Sequence, residues 1–207
     1  MKPSSDILIV GGGPVGATLA LALQSHDVNV HVLEALASGA AHGDQRALAL
    51  SYGSRRILER LGVWDELAAQ ATPIETIHIS QRGSIGRTRL RAQEHGQPAL
   101  GYVLAYGALS AALDRALTAR STVQITYEAE VTQVMPNASH ASVRYNRGGE
   151  QHETGHVLVI LADGGRSLGD IPGLQRKTRE YGHDALVSKV VCELPHDNIA
   201  YERFTPA

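Results

Sequence analysis

The amino-acid sequence predicts an α/β fold in which a parallel sheet is joined by a small three-stranded β layer and by the start of a mixed β domain. Three patterns carry this prediction. Residues 7–10 form a wholly apolar run that ends directly in glycines, a helix-like spacing of apolar residues follows, and alternating strand-like segments recur beyond residue 123. A length of 207 residues is enough for one large domain or two small ones.

The composition is that of an ordinary globular protein, with 43% hydrophobic and 19% charged residues. A formal net charge of −2 offers no basic field for a polyanion, so we expect no nucleic-acid partner. The apolar run at residues 7–10 is too short for a signal-peptide core or a membrane span, which predicts a cytoplasmic protein. The single cysteine, Cys192, lies in an apolar run and is predicted to be a buried strand residue.

A glycine-rich turn follows the first predicted strand. Residues 11–16 read GGGPVG and satisfy the G-x-G-x-x-G pattern of dinucleotide-binding turns. Gly11 permits the tight turn, Gly13 lets the backbone approach a pyrophosphate, and Gly16 allows the helix to pack closely on the strand. Pro14 falls near the first helical position, where its missing N–H costs nothing. The unpaired N–H groups of this helix start favour a phosphate ligand.

An acidic residue closes the next predicted strand, at residues 29–34. Glu34 follows the turn at about the 20-residue spacing at which a carboxylate accepts hydrogen bonds from a ribose diol. Its charge disfavours the extra phosphate of NADP, so the opening predicts a Rossmann-like domain for FAD or NAD. The alternatives are a glycine turn without a ligand and a surface role for Glu34. The residues of this opening that we predict to bind the cofactor are Gly11, Gly13, Pro14, Val15, Gly16 and Glu34.

The segment after this opening distinguishes FAD from NAD. Arg46 precedes a short apolar run at 47–51, and a predicted amphipathic helix over 52–61 then ends in the letters GVW. This arrangement resembles the stretch after the second strand in flavoprotein aromatic hydroxylases. The resemblance implies that Arg46 is a positively charged partner of the flavin cofactor. Pairing with Asp44, or capping of a helix, is the alternative for Arg46.

A second resemblance lies where a predicted strand at 157–161 delivers Asp163 and Gly164 into a loop. These residues resemble the Asp-Gly motif of class A flavin monooxygenases, which serves both FAD and NAD(P)H in those enzymes. A glycine admits close backbone approach, and a carboxylate can orient a ribose or hold the loop through backbone N–H groups. A plain strand-ending turn is the alternative. Where the family carries an arginine shortly after Ser167, this chain has Asp170.

The third resemblance covers residues 181–188 and 200–205. Runs of this form open the substrate-side sheet of the ubiquinone-biosynthesis hydroxylases, including the 2-octaprenyl-6-methoxyphenol hydroxylase type. The resemblance implies an FAD-dependent monooxygenase that uses NAD(P)H as electron donor and an aromatic or polyprenyl phenol as substrate. It also implies loose peripheral association with the inner membrane or a biosynthetic complex. In domain terms, it implies an FAD-binding domain at 1–180, with substrate-side strands near 74–105, and the beginning of a substrate domain at 181–207.

The middle of the chain is predicted to mix strands and helices. His152 and His156 fall in a probable strand, where a spacing of four does not form the shared face of a helical metal motif, so we predict no metal site. The three-stranded layer is predicted from the segments 123–127, 129–135 and 141–145, with a turn at 147–149 before 151–156. The other predicted elements are strands at 74–80, 88–91 and 101–105 and a helix at 108–119.

No catalytic base can be nominated from these residues, because the flavin carries the chemistry in the resembled enzymes. Those enzymes are considerably longer, and their later Gly-Asp motif has no counterpart before Ala207. The resemblance therefore predicts a C-terminally truncated chain that is inactive alone. Two other functions stay open at this stage: a non-catalytic nucleotide-binding fragment and an NAD-linked dehydrogenase.

Overall fold

A computed structural model describes residues 4–119, 123–166, 171–175, 177–182 and 184–205. The chain forms two compact units: the first comprises Met1–His42 and Ser110–Ala185, and the second comprises Gly43–Leu109 and Leu186–Ala207. The helices are α1 (Pro14–Leu23), α2 (Tyr52–Arg60), α3 (Trp64–Ala68) and α4 (Tyr106–Thr118). The strands are β1 (Ser5–Val10), β2 (Val30–Leu33), β3 (Ala47–Ser51), β4 (Thr72–Ile74), β5 (Thr76–Gln81), β6 (Arg87–Arg91), β7 (Gly101–Ala105), β8 (Val123–Thr126), β9 (Glu130–Pro136), β10 (Ala141–Arg147), β11 (Glu150–Leu161) and β12 (Ile199–Phe204).

The first unit is built on a six-stranded sheet with the order β8-β2-β1-β11-β10-β9. Strand β1 pairs in parallel with both β2 and β11, and β8 adds in parallel to β2. Strands β9 and β10 pair antiparallel and join the sheet through β11. The predicted α/β fold, with its parallel sheet and three-stranded β layer, is confirmed.

Two strand predictions for the first unit differ from the structure. The segment 123–127 does not belong to the three-stranded layer, because Val123–Thr126 instead covers the free edge of the buried strand β2. Residues 151–156 and 157–161 are not separate strands but one strand of 12 residues, β11. Its first half pairs antiparallel with β10 and its second half pairs parallel with β1, so the chain stays extended to satisfy both ladders.

The core of the first unit is centred on β1. Leu8 and Ile9 are fully buried, and because successive strand side chains point to opposite faces, both faces of β1 are covered. Helix α1 contacts β1 and β2, where it buries two alanines and Leu21. Full burial of one Leu or Ile side chain stabilises the fold by roughly 1.5–3 kcal/mol. Strand β1 is therefore well anchored in the core and fixes the position of the turn that follows it.

The second unit contains two three-stranded sheets, with the orders β3-β7-β4 and β12-β5-β6. In the latter, β5 pairs in parallel with β12 and antiparallel with β6. Ser51 caps helix α2 by accepting a hydrogen bond from the N–H of Ser54 at 3.1 Å. Trp64 is buried edge-on against Tyr102, with 4.8 Å between the ring centroids. The predicted strand at 101–105 and the helices near 52–61 and 108–119 are confirmed within two residues.

The last part of the chain corrects one prediction. Cys192 is exposed, because the described residues from 184 to 198 form no strand and leave its apolar run without a partner. The predicted strand near 200–205 is present as β12. His183, and the chain end at 206–207, lie outside the described residues, and the domain division at residue 180 stays a prediction. Among the described helices, none is long and apolar enough to cross a membrane.

Candidate cofactor-binding site

The glycine-rich turn begins at Gly11, where the structure requires glycine. Its φ angle is +100°, a conformation that side-chain-bearing residues rarely adopt. A Cβ atom on Gly11 would lie 2.7 Å from the carbonyl oxygen of Ala162 and 2.9 Å from the Cα of Asp163. The close approach therefore brings the turn after β1 against the loop after β11, and with it the two sequence motifs of the first unit.

Helix α1 starts immediately after this turn, with Gly13 at its N-cap and Pro14 in its first turn. A Cβ on Gly16 would come within 1.9 Å of the Gly11 carbonyl oxygen, so only glycine lets the helix lie this close to the strand. The first helical hydrogen bond runs from the N–H of Ala17 to the carbonyl of Gly13 at 2.9 Å. The earlier N–H groups have no partner within the helix, and among the described residues no side chain caps it.

This helix start can therefore bind an anion. Val15 leaves 72% of its surface exposed there, so the helix start is open to a ligand. Aligned peptide dipoles place positive potential at the same point, which favours a phosphate or pyrophosphate group. The sequence prediction assigned this role to the turn, and the geometry is compatible with it.

Glu34 lies directly after β2, and its carboxylate faces the turn. Its Oε2 accepts a hydrogen bond from the N–H of Gly12 at 2.5 Å, and its Oε1 accepts one from the N–H of Leu36 at 2.8 Å. Each carboxylate oxygen can accept more than one hydrogen bond, so both can still receive a ribose hydroxyl. The two backbone contacts fix the carboxylate beside the glycine turn rather than leave it on a mobile side chain.

Asp163 and Gly164 follow the end of β11. The N–H of Ala162 donates to the carbonyl of Val10 at 2.7 Å and continues the parallel ladder to this point. The Oδ1 of Asp163 accepts a hydrogen bond from the N–H of Gly165 at 2.9 Å, which closes a turn over Gly164 with its φ of +73°. The carboxylate thus holds the loop, one of the two roles foreseen for it. Ser167 and Asp170 lie outside the described residues.

Arg46 belongs to the second unit, where it pairs with Asp44. Its Nε donates to Asp44 Oδ2 at 2.8 Å, and its guanidinium lies 5.2 Å from the centroid of the Tyr106 ring. The hydrogen bonds from Arg46 keep the pKa of Asp44 below its ordinary value, and Asp44 in turn raises the pKa of Arg46. The structure thus shows the pairing with Asp44 that the sequence leaves open as the alternative, and a role for Arg46 at the cofactor stays a prediction.

The sequence reasoning missed two features of the first unit. Gly12 occupies a variable position of the motif, so nothing in the pattern indicated that its N–H would anchor Glu34.

The second feature is His156, which is fully buried, with Nδ1 at 2.7 Å from Ser5 Oγ and Nε2 at 2.8 Å from Thr154 Oγ1. Burial, with the nearby His31 as a smaller cause, lowers the pKa of His156 to about 4. Among the described residues, no three His, Cys, Asp or Glu side chains are grouped to hold a metal ion.

Taken together, the βαβ arrangement of β1, α1 and β2 and the glycine turn with its acidic partner define a Rossmann-like dinucleotide-binding protein. The sequence model of the FAD binding domain family matches residues 4–199. The chain belongs to this family.

Named relatives are similar along nearly the whole chain. It is 33% identical to ubiquinone hydroxylase UbiL of Rhodospirillum rubrum, an alignment that covers 98% of this chain and 47% of the relative. It is 29% identical to 3-demethoxyubiquinol 3-hydroxylase of Escherichia coli, with coverage of 98% and 52%. The chain therefore spans about half the length of these relatives. The resemblance to ubiquinone-biosynthesis hydroxylases, inferred from the sequence, is confirmed.

A solved structure shows a similar fold. The flavin-dependent monooxygenase PieE, in a crystal structure with FAD and substrate, superimposes with a TM-score of 0.64 at 25% identity. The match covers 80% of this chain and 31% of PieE. The fold described above is thus that of flavin-dependent monooxygenases.

Proposed function

We propose that this chain supplies the FAD-binding part of a flavin-dependent hydroxylase that acts on an aromatic polyprenyl phenol in ubiquinone biosynthesis. The observation that carries the proposal is the contact between Gly12 and Glu34, which fixes a carboxylate beside an open helix start. Membership of the FAD binding domain family supports the cofactor. The names of the two bacterial relatives support the reaction and the substrate class.

In this proposal the glycine turn binds the FAD pyrophosphate. Gly11 and Gly13 keep side chains out of the approach, and Pro14 starts the helix without needing a hydrogen-bond partner. The backbone N–H groups of Val15 and Gly16 then donate to phosphate oxygens at the positive end of α1. Because these donors are held by the β1 core, they require little reorganisation on binding.

Glu34 binds the adenosine ribose of FAD in the same scheme. Its carboxylate is already oriented by Gly12, so it can accept hydrogen bonds from the two hydroxyls without first becoming ordered. Asp163 and Gly164 shape the loop that lies against the turn and keep the backbone accessible to the cofactor. A contribution of positive charge from Arg46 to the cofactor stays a prediction of the sequence resemblance, because Arg46 pairs with Asp44 here.

Bound FAD would supply the redox chemistry, in which NAD(P)H is the electron donor, one atom of O₂ enters the phenol ring and the other is released as water. The residues of this chain bind and orient the cofactor, and none of them is assigned as a catalytic base. The apolar substrate class implies that the protein works peripherally at the inner membrane. That the chain is inactive alone stays a prediction.

The experiment is an FAD titration of the chain, followed by the flavin absorbance and by quenching of flavin fluorescence. Glu34→Gln keeps the shape but removes the charge, and hydrogen bonds to charged groups contribute about 1.5–3 kcal/mol, so we expect Kd to rise by roughly 10- to 100-fold. Glu130→Gln, which changes an exposed carboxylate of the same unit, is the matched control and should leave Kd unchanged.

Three results would contradict the proposal. A folded chain that binds no FAD would remove cofactor binding from its function. Preferential binding of NADH over FAD would favour the NAD-linked dehydrogenase. Equal effects of Glu34→Gln and Glu130→Gln would show that Glu34 does not contact the cofactor. Circular dichroism of each variant separates these outcomes from a failure to fold.

A further inference from the structure

The sheet of β12, β5 and β6 has two chemically different faces. Cross-strand pairs place Arg89 opposite His78 and Arg203 opposite Ser80, and directly paired residues point to the same side of a sheet. One face consequently collects basic side chains from all three strands. We call this surface the arginine face, and it consists of His78, Arg87, Arg89, Arg91 and Arg203.

The charge on the arginine face is mostly unneutralised. Arg91 pairs with Glu94 at 2.9 Å, whereas the other three arginines form no ion pair with any described residue. No acidic side chain occurs among the described strand positions that share this face. The opposite face of the sheet carries apolar residues, including Ile77, Leu90 and Phe204. A chain whose overall charge is −2 therefore presents a locally positive surface.

The β5–β6 turn adds an apolar element at one end of this surface. Ile85 is fully exposed at the turn, which Gly83 forms with a φ of +80°. Arg82 and Arg87 flank it along the chain. Tyr201 is also exposed, at 69%, and lines a shallow hollow of about 390 Å³ on the arginine face. Arginines beside an exposed aliphatic and an aromatic residue match a membrane surface, where anionic headgroups lie next to apolar acyl chains.

We propose that the arginine face docks the second unit on a bilayer surface rich in anionic phospholipids, with Ile85 entering the headgroup region. The basic side chains are spread over three strands, and strands lie about 4.8 Å apart, so the array is about 10 Å wide and exceeds the reach of one phosphate. Several lipid headgroups can occupy such an array at once. The arginine face is thus the surface for the peripheral membrane association proposed above, and this docking does not depend on flavin binding.

The test is sedimentation of the chain with vesicles made of equal parts phosphatidylcholine and phosphatidylglycerol, compared with phosphatidylcholine alone. We expect binding to the anionic vesicles only, with release at high salt because the Debye length shortens. The double variant Arg87→Gln with Arg89→Gln should partition about 30-fold more weakly. Its matched control, Arg56→Gln with Arg60→Gln, changes the same charge on the exposed surface of α2 and should partition like the parent chain.

Ile85→Ser tests the apolar contribution and should reduce partitioning without changing its salt dependence. Four results would overturn the inference: no binding to anionic vesicles, equal binding to neutral vesicles, equal losses in the two double variants, or full release by millimolar inorganic phosphate. The last result would assign the surface to a small anion. FAD titration of the same samples keeps a failure of membrane docking distinct from a failure of the cofactor site.

Discussion

Protonation of His156 should destabilise the folded chain. This side chain is fully buried in β11, and the centroid of its ring lies 5.9 Å from that of His31. Burial lowers the pKa of both imidazoles, and that of His156 falls from 6.5 to about 4. The folded chain therefore holds His156 neutral under conditions in which an unfolded chain would already protonate it.

The size of the effect follows from these two pKa values. Above 6.5 the residue is neutral in both states and its full contribution to stability is present. As the pH falls below 6.5, the unfolded state binds the proton first, and the free energy of unfolding decreases by about 2 kcal/mol by pH 5. The loss approaches roughly 3 kcal/mol once the pH is below the folded pKa, with His31 acting in the same direction.

Urea unfolding at several pH values measures this dependence. Far-UV circular dichroism is the suitable signal, because the single tryptophan, Trp64, lies in the second unit while His156 lies in the first. His156→Gln should flatten the decrease between pH 7 and pH 5 by about 2 kcal/mol, whatever its effect at neutral pH. His26→Gln, an exposed histidine of the same unit, should keep the full slope. An unchanged slope in His156→Gln would refute the reasoning.

Two further predictions concern helix α2. The guanidinium of Arg55 lies within 6.0 Å of the ring centroids of Tyr52, Trp64 and Tyr102, and its buried Nε has no hydrogen-bond partner in the described structure. Arg55→Ala should lower the free energy of unfolding by about 2 kcal/mol through lost packing and cation–π contact. Arg55→Met, which keeps the aliphatic part of the side chain, should lower it by less. Equal losses of unfolding free energy in these two variants, measured by Trp64 fluorescence in urea, would show that packing of the aliphatic part of Arg55 does not stabilise the fold. Ser51→Ala removes the helix cap and should cost about 1 kcal/mol in the same assay, with Ser51→Asp near the parent value; a neutral alanine variant would show that the cap bond contributes nothing.

Local chemistry explains why the opening of the chain was predictable. The positive φ of Gly11 and the contact between Gly16 and the Gly11 carbonyl are demands that only glycine meets, so the motif encodes the geometry directly. Strand pairing is not local in this sense. An alternating pattern at 123–127 indicates a strand but not its neighbour, and the structure pairs it with β2 rather than with the three-stranded layer.

The candidate site shows the same limit. A sequence pattern could nominate Arg46 as a cation but could not decide between a cofactor and Asp44, two residues away, as its partner. Gly12 was invisible because its contribution is a backbone N–H, which every residue except proline carries. The apolar run around Cys192 indicated burial, but a run becomes a buried strand only when a neighbour pairs with it.

Strand β11 makes the chain sensitive to changes in length. Its twelve residues serve two ladders at once, one to β10 and one to β1. Side chains alternate between the two faces of a strand with a period of two. Inserting one residue within β11 would therefore turn the side chains of one ladder to the opposite face of the sheet while those of the other ladder stay in place, and it would displace Asp163 from Gly11. The hairpin at Gly148 and Gly149 joins Arg147 and Glu150 and is open to solvent, since an added Cβ at either glycine would meet nothing within 4 Å. An insertion long enough to form its own loop between Arg147 and Glu150 should therefore be tolerated better than one within β11.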